Sequence, residues 1–177
     1  MSSARRIKKI YCFDTSAFVT LSRTSENVIK MPKALWDHLA KMMKTGDIIS
    51  HQLVYEEISG NQKNPDFITR WVTKRSNYFL PKTDIQRAQI STIVAKHPEL
   101  IDYEMEREQA DPWLIALAIE KLKENTLFEI WASVVVSQEN PRSTKKIPAA
   151  CSSFGVRHLS LRGFFDEIGF STKLKKK

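Results

Sequence analysis

Four acidic residues could carry chemistry in this chain: Asp14, Glu57, Asp111 and Glu139. Asp14 closes the apolar run Ile10-Tyr11-Cys12-Phe13 and is followed by Thr15 and Ser16. A carboxylate ending a buried strand costs free energy unless it is paired, coordinated or hydrogen-bonded. Glu57 lies in Val54-Tyr55-Glu56-Glu57-Ile58. At about 100° per residue it borders the stripe defined by Val54 and Ile58, roughly 60° from Val54, whereas Glu56 lies roughly 160° away and faces water. Asp111 opens Asp111-Pro112-Trp113-Leu114-Ile115-Ala116, where Asp before Pro reads as the N-cap and first position of a helix. Glu139 follows Val134-Val135-Val136-Ser137-Gln138. Taken singly, these acids have ordinary explanations: a helix cap, an ion-pair partner, a solvated loop residue. Gathered in one mouth, they would raise one another's proton affinity unless a cation sat among them. Carboxylates without His or Cys select hard cations, Mg²⁺ or Mn²⁺. Such a centre suits phosphodiester hydrolysis, because the ion orients and acidifies water and neutralises charge developing on the phosphate.

Bringing four distant acids together requires strands that end at one edge. Residues 10–13 predict a strand buried on both faces, 47–50 a short strand, 133–137 a central β-branched strand and 156–159 another short one. Helices are expected over 33–44, 51–59, 65–76, 84–96, from Asp111 onward, over 147–154 and over 161–169, with a further one beginning at 17–21. Strands alternating with helices predict an α/β fold, a three-layer α/β/α sandwich around a central, mainly parallel sheet. In such sheets ligands bind beyond the carboxyl ends of the strands, where the strand order reverses.

Composition narrows the class. The 177 residues carry 28 Lys+Arg against 20 Asp+Glu, a net charge of +8, with 42% hydrophobic residues. That describes one soluble globular domain rather than a fibrous or low-complexity chain. The whole excess sits in two ends: Arg5, Arg6, Lys8 and Lys9, then Lys173, Lys175, Lys176 and Lys177. The expected organisation is a basic N-terminal tail over 1–9, a single domain over 10–170 and a Lys-rich C-terminal tail over 171–177. Cys12 and Cys151 form neither a zinc spacing nor a disulfide framework, and no apolar stretch is long enough for a signal peptide or a membrane span. A cytoplasmic protein with no membrane partner is expected.

Four segments, in order, resemble the PIN-domain (PilT N-terminus-like) ribonucleases, the family of VapC-type toxins. Ile10-Tyr11-Cys12-Phe13-Asp14-Thr15-Ser16 resembles the opening strand with its first metal-binding Asp and neighbouring hydroxyl. Val54-Tyr55-Glu56-Glu57-Ile58 resembles the helix with the second acid, Glu57. Ala110-Asp111-Pro112-Trp113-Leu114-Ile115-Ala116 resembles the third-acid segment. Val134-Val135-Val136-Ser137-Gln138-Glu139 resembles the strand that usually ends Thr-x-Asp. The third segment and Lys146-Ile147-Pro148-Ala149-Ala150-Cys151 resemble one PIN-like branch known only as a domain of unknown function. The resemblance covers roughly residues 8–170. It implies a Mg²⁺- or Mn²⁺-dependent endoribonuclease, the toxin of a toxin–antitoxin pair, hydrolysing RNA through metal-activated water. Asp14 and Asp111 would be the metal ligands, Glu57 a further ligand or water-positioning acid and Glu139 the fourth acid, with Thr15 and Ser137 holding them in place. It further implies a cognate antitoxin covering the acidic pocket and a homodimer. The departures are Ser137 for Thr and Glu139 for Asp, and the longer glutamate weakens the case for a second metal.

Other enzyme classes lack their residues. A haloacid-type phosphatase needs a second Asp where Ser16 stands. A receiver domain needs an acidic pair beside Asp14, and the five glycines are too dispersed for a nucleotide loop. The four histidines are scattered and read as structural or surface residues. The competing reading is a catalytically weak or inactive PIN-like module that binds RNA or a protein partner. In either case Arg142, Lys145 and Lys146 after the acidic loop, with Arg70, Lys74 and Arg75 elsewhere, are the cations that could track a phosphate backbone. The acidic stretch Glu99, Asp102, Glu104, Glu106 and Glu108 would repel it.

Overall fold

The apolar run that ends at Phe13 is the centre of the sheet. In the computed structural model, which describes residues 6–27, 33–60, 64–124, 129–143 and 145–170, it is the last half of strand β1 (Arg6–Phe13). The elements that follow are α1 (Thr15–Asn27), α2 (Lys33–Thr45), β2 (Ile48–His51), α3 (Gln52–Ser59), α4 (Phe67–Thr73), β3 (Phe79–Leu80), α5 (Asp84–Lys96), α6 (Ala110–Leu122), β4 (Glu129–Ser137), α7 (Lys146–Ser153), β5 (Arg157–Ser160) and α8 (Leu161–Glu167). The five strands form one sheet in the order β3-β2-β1-β4-β5, every neighbouring pair parallel. The expected α/β/α architecture is therefore the observed one, and the sheet is wholly rather than mainly parallel.

The order reverses between β1 and β4, whose register runs from Arg6 opposite Glu129 to Phe13 opposite Val136. Both strands thus end level, and the residues just beyond them share the crevice that parallel sheets use for ligands. Helix α6 lies across β4, β1 and β2. From Ala110 to Glu120 every residue except Asp111 is buried, the all-round burial of a helix enclosed by neighbours rather than facing water. On the opposite face, Phe13 meets Phe18 of α1 at 5.3 Å and Phe164 of α8 edge-on at 4.9 Å. Gly46, at φ +76°, stops α2 in a left-handed turn that a side chain would strain, and Asp47 N–H closes it on the Met42 carbonyl at 2.9 Å. The chain then enters β2 directly.

Some boundaries differ from the sequence reading. The N-terminal tail was expected to reach residue 9, but β1 begins at Arg6 because its basic half pairs with β4. There Lys8 lies 4.6 Å from the Trp131 ring and Lys9 pairs with Glu167 at 3.1 Å. The helix expected over 65–76 is confined to Phe67–Thr73, capped by the Asp66 side chain, and the two-residue β3 was not foreseen. Residues 1–5 and the Lys-rich tail 171–177 lie outside the described residues. Cys12 and Cys151 are buried free thiols, and among the described residues no helix is long and apolar enough to cross a membrane.

Candidate active site

Asp14 is still part of the sheet ladder when it turns out of it. Its N–H donates to the Val136 carbonyl at 3.0 Å, and its own carbonyl accepts from Ala17 and Phe18 to start α1. The side chain is only 4% exposed. Oδ2 accepts the Ser16 N–H at 3.0 Å and the Ser16 hydroxyl at 2.5 Å. Oδ1 is buried with no hydrogen-bond partner. Burial raises the pKa of this carboxyl, the Ser16 hydroxyl and the backbone N–H groups of Ser16 and Thr15 oppose the rise, and the nearby Glu57 adds to it. Ser16 also accepts the Gln138 N–H at 3.0 Å, so one hydroxyl ties the ends of β1 and β4 together. The sequence reading gave the supporting role to Thr15 and passed over Ser16. Ser16→Ala is expected to destabilise the fold by about 1–3 kcal/mol, as for other buried groups left without a partner, measurable by urea unfolding.

Glu57 points inward and Glu56 outward, as the helical angles require. Glu56 bonds Gln52 on the surface at 2.7 Å. Glu57 Oε2 accepts the Thr15 hydroxyl, and Oε1 accepts the Ala110 N–H at 3.0 Å. That last contact corrects the expected role of Asp111 as a helix cap. Helix α6 starts at Ala110, its N-cap is Gln109, and the Gln109 side chain is engaged instead with the Asp102 backbone at 2.9 and 2.7 Å. Glu57 therefore satisfies one of the unpaired amides of the first turn from another helix. Asp111, released from capping, sits in that turn at the crevice. Its pKa is pushed up to about 8, by burial first and then by Asp14, Glu57 and Glu139, with Lys146 opposing.

The fourth acid has two duties. Glu139 Oε2 accepts the Ile147 N–H at 3.1 Å and so holds the start of α7, whose N-cap, Lys145, makes no side-chain cap. The extra methylene relative to Asp is used for that reach. Burial raises the Glu139 pKa, Lys146 lowers it and Asp14 raises it further. Ser137 is fully buried; its hydroxyl bonds His158 Nε2 at 2.8 Å and accepts the Glu139 N–H at 3.1 Å. His158, read from sequence only as structural or surface, is thus a support of this edge. Burial lowers its pKa to about 4, so it stays neutral. Lys146 is the only non-glycine residue at positive φ (+58°) among the described residues. That conformation costs an L-residue of order 1–2 kcal/mol.

The structure thus brings Asp14, Glu57, Asp111 and Glu139, with Thr15 and Ser137, to the β1/β4 switch point. Arg142, Lys145 and Lys146 are exposed beside it. Arg70 and Arg75 are turned to backbone carbonyls of their own segment, and Arg75 also lies 4.1 Å from the Trp71 ring. Of the acidic stretch, Glu108 is neutralised by Lys82.

A hard cation fits this donor set. Every donor is an oxygen, the acids repel one another, and Asp14 Oδ1 is buried with no partner. Among the described residues no group of three or more His, Cys, Asp or Glu side chains is arranged to hold a metal ion, so it is the donor chemistry, and not the arrangement, that suits a cation. No curated protein matches this chain. The family model of a domain of unknown function (DUF4411) matches residues 11–172. That span includes all four acids and leaves out only residues 1–10 and 173–177, and the chain belongs to the DUF4411 family.

Proposed function

We propose that this chain is a Mg²⁺- or Mn²⁺-dependent endoribonuclease of the PIN type, the toxin of a toxin–antitoxin pair. The observation that carries the reading is the buried Asp14 carboxylate, its Oδ1 without a hydrogen-bond partner, close enough to Glu57, Asp111 and Glu139 at the sheet's switch point for their charges to act on one another. Asp14 and Asp111 would hold the ion, Asp14 steadied by Ser16. The bound ion would supply positive charge for the phosphate oxygens and acidify the attacking water. Glu57, fixed by Thr15 and the Ala110 N–H, would orient that water and take its proton. Ser137, buttressed by His158, keeps Glu139 at the edge of the site. Arg142, Lys145 and Lys146 meet the RNA backbone. The acidic mouth is the surface that a cognate antitoxin would cover; a homodimer in the cytoplasm completes the proposal.

The test is cleavage of total cellular RNA and of tRNA by purified protein with Mg²⁺, with Mn²⁺ and with EDTA. Discrete cuts that need the metal are expected. One observation favours a second reading, an RNA-binding module that cuts nothing: Glu139 already uses one oxygen on Ile147. Absence of cleavage, with RNA still retained in a salt-sensitive gel shift, would replace the nuclease by that module.

A further inference from the structure

We propose that Lys146 is a catalytic residue, its ammonium group standing at the mouth of the acidic site and holding the non-bridging oxygens of the scissile phosphate. This rests on the nuclease reading above and adds a role that phosphate tracking does not include.

The argument starts from the backbone. A lysine gains nothing from the left-handed region, and glycine or asparagine would take φ +58° at lower cost. Conformations of this kind persist where the surroundings over-determine them, and they cluster at functional sites. Here the surroundings act on the helix side: the Ile147 N–H is held by Glu139 Oε2 at 3.1 Å, which fixes the peptide unit joining Lys146 to Ile147 at the start of α7.

The side chain has the opposite character. Lys146 is exposed and forms no ion pair among the described residues. Its charge nevertheless acts on both Asp111 and Glu139. Neither Lys145 nor Arg142, its neighbours in the same loop, is a main influence on those two acids. A fixed backbone, an uncommitted ammonium and proximity to two of the four acids are what a phosphate-binding lysine needs. A compact point charge stabilises the charge that develops on a phosphoryl group in hydrolysis. Water would add to phosphorus as its proton passes to Glu57, the bond to one ribose oxygen would break, and that oxygen would take a proton from solvent.

The test uses the full chain, with Lys146→Gly and Lys146→Arg beside wild type. It measures single-turnover cleavage of tRNA at saturating RNA and Mn²⁺, Mn²⁺ affinity without RNA, and melting temperature. Lys146→Gly suits the left-handed backbone, so its melting temperature should be equal to or above that of wild type. Its saturated cleavage rate should fall about 10²-fold, the scale seen when one charge-stabilising donor is removed. Its Mn²⁺ affinity should be unchanged or higher, since a competing cation has gone. Lys146→Arg should recover at least a tenth of the wild-type rate. Wild-type cleavage with an undiminished Lys146→Gly rate would overturn this role alone. So would a loss seen only below saturating RNA, which marks simple tracking. A wild type that cuts no RNA with either metal would overturn the nuclease reading and this role together.

Discussion

Asp14→Asn is expected to abolish RNA cleavage, by at least about 10³-fold, and at the same time to stabilise the metal-free protein. The two effects have one cause. Asp14 is 4% exposed, its Oδ2 is engaged by Ser16, and its Oδ1 is buried with no hydrogen-bond partner. A carboxylate in that position is unfavourable without a cation. Asparagine keeps the acceptor that Ser16 needs and removes the charge that repels Glu57 and Asp111. The gain should be about 1–3 kcal/mol at pH 8 in EDTA, as when other strained functional sites are neutralised. The loss of activity exceeds the 10- to 100-fold typical of residues that merely support a metal ligand. Guanidinium unfolding and single-turnover cleavage measure the two sides. A variant that loses stability would show Asp14 to be a structural acid, and one that still cuts would remove it from the metal site.

The second large effect is a dependence of stability on pH that a metal ion reverses. The Asp111 pKa is about 8 in the folded protein against an ordinary 3.8. Between those values the native chain holds a proton that the unfolded chain has released, so metal-free stability falls as pH rises. Burial raises Asp14 and Glu139 in the same direction. His51 and His158 act oppositely: burial lowers both to about 4 from 6.5, and their neutral forms lose stability as pH falls below 6.5. The opposing contributions overlap below pH 6.5 and leave the window from 6.5 to 8 to the acids. At about 1.4 kcal/mol per pH unit per proton, the metal-free protein should lose about 2 kcal/mol across that window. Asp111→Asn should flatten the slope. Mn²⁺ at 100 times its dissociation constant should restore about 2.7 kcal/mol at pH 8. Thermal melts at fixed ionic strength, with EDTA or Mn²⁺, test all three; a wild-type slope that is flat or rising from pH 6.5 to 8 would contradict the assignment.

Much of the site was legible because its signals are local. Asp14 ending an apolar run needs only the cost of a buried carboxylate, and the choice of Glu57 over Glu56 needs only helical angles. The limit of such reasoning is visible at Asp111. Asp before Pro is a sound cap signal, but Glu57 occupies the amide at Ala110 from another helix, and no window around Asp111 contains that competitor. The same holds for the basic half of β1, which is a strand because β4 pairs with it more than a hundred residues later. His158 was passed over for a related reason, since it works through one long-range hydrogen bond to Ser137, and the tie from Ser16 to Gln138 is equally distant in sequence. The positive φ of Lys146 has no sequence signal, since the residues that favour it are Gly and Asn.

The central claim is that these four acids are a cation site, and Mn²⁺ binding tests it without any assumption about the RNA. Calorimetric titration of the wild type at pH 7.5, beside Asp14→Asn and Asp111→Asn, is the measurement. The expected result is saturable binding by the wild type, weakened at least about 100-fold in each variant. Wild-type protein that takes up no Mn²⁺, or equal binding by all three proteins, would contradict the account.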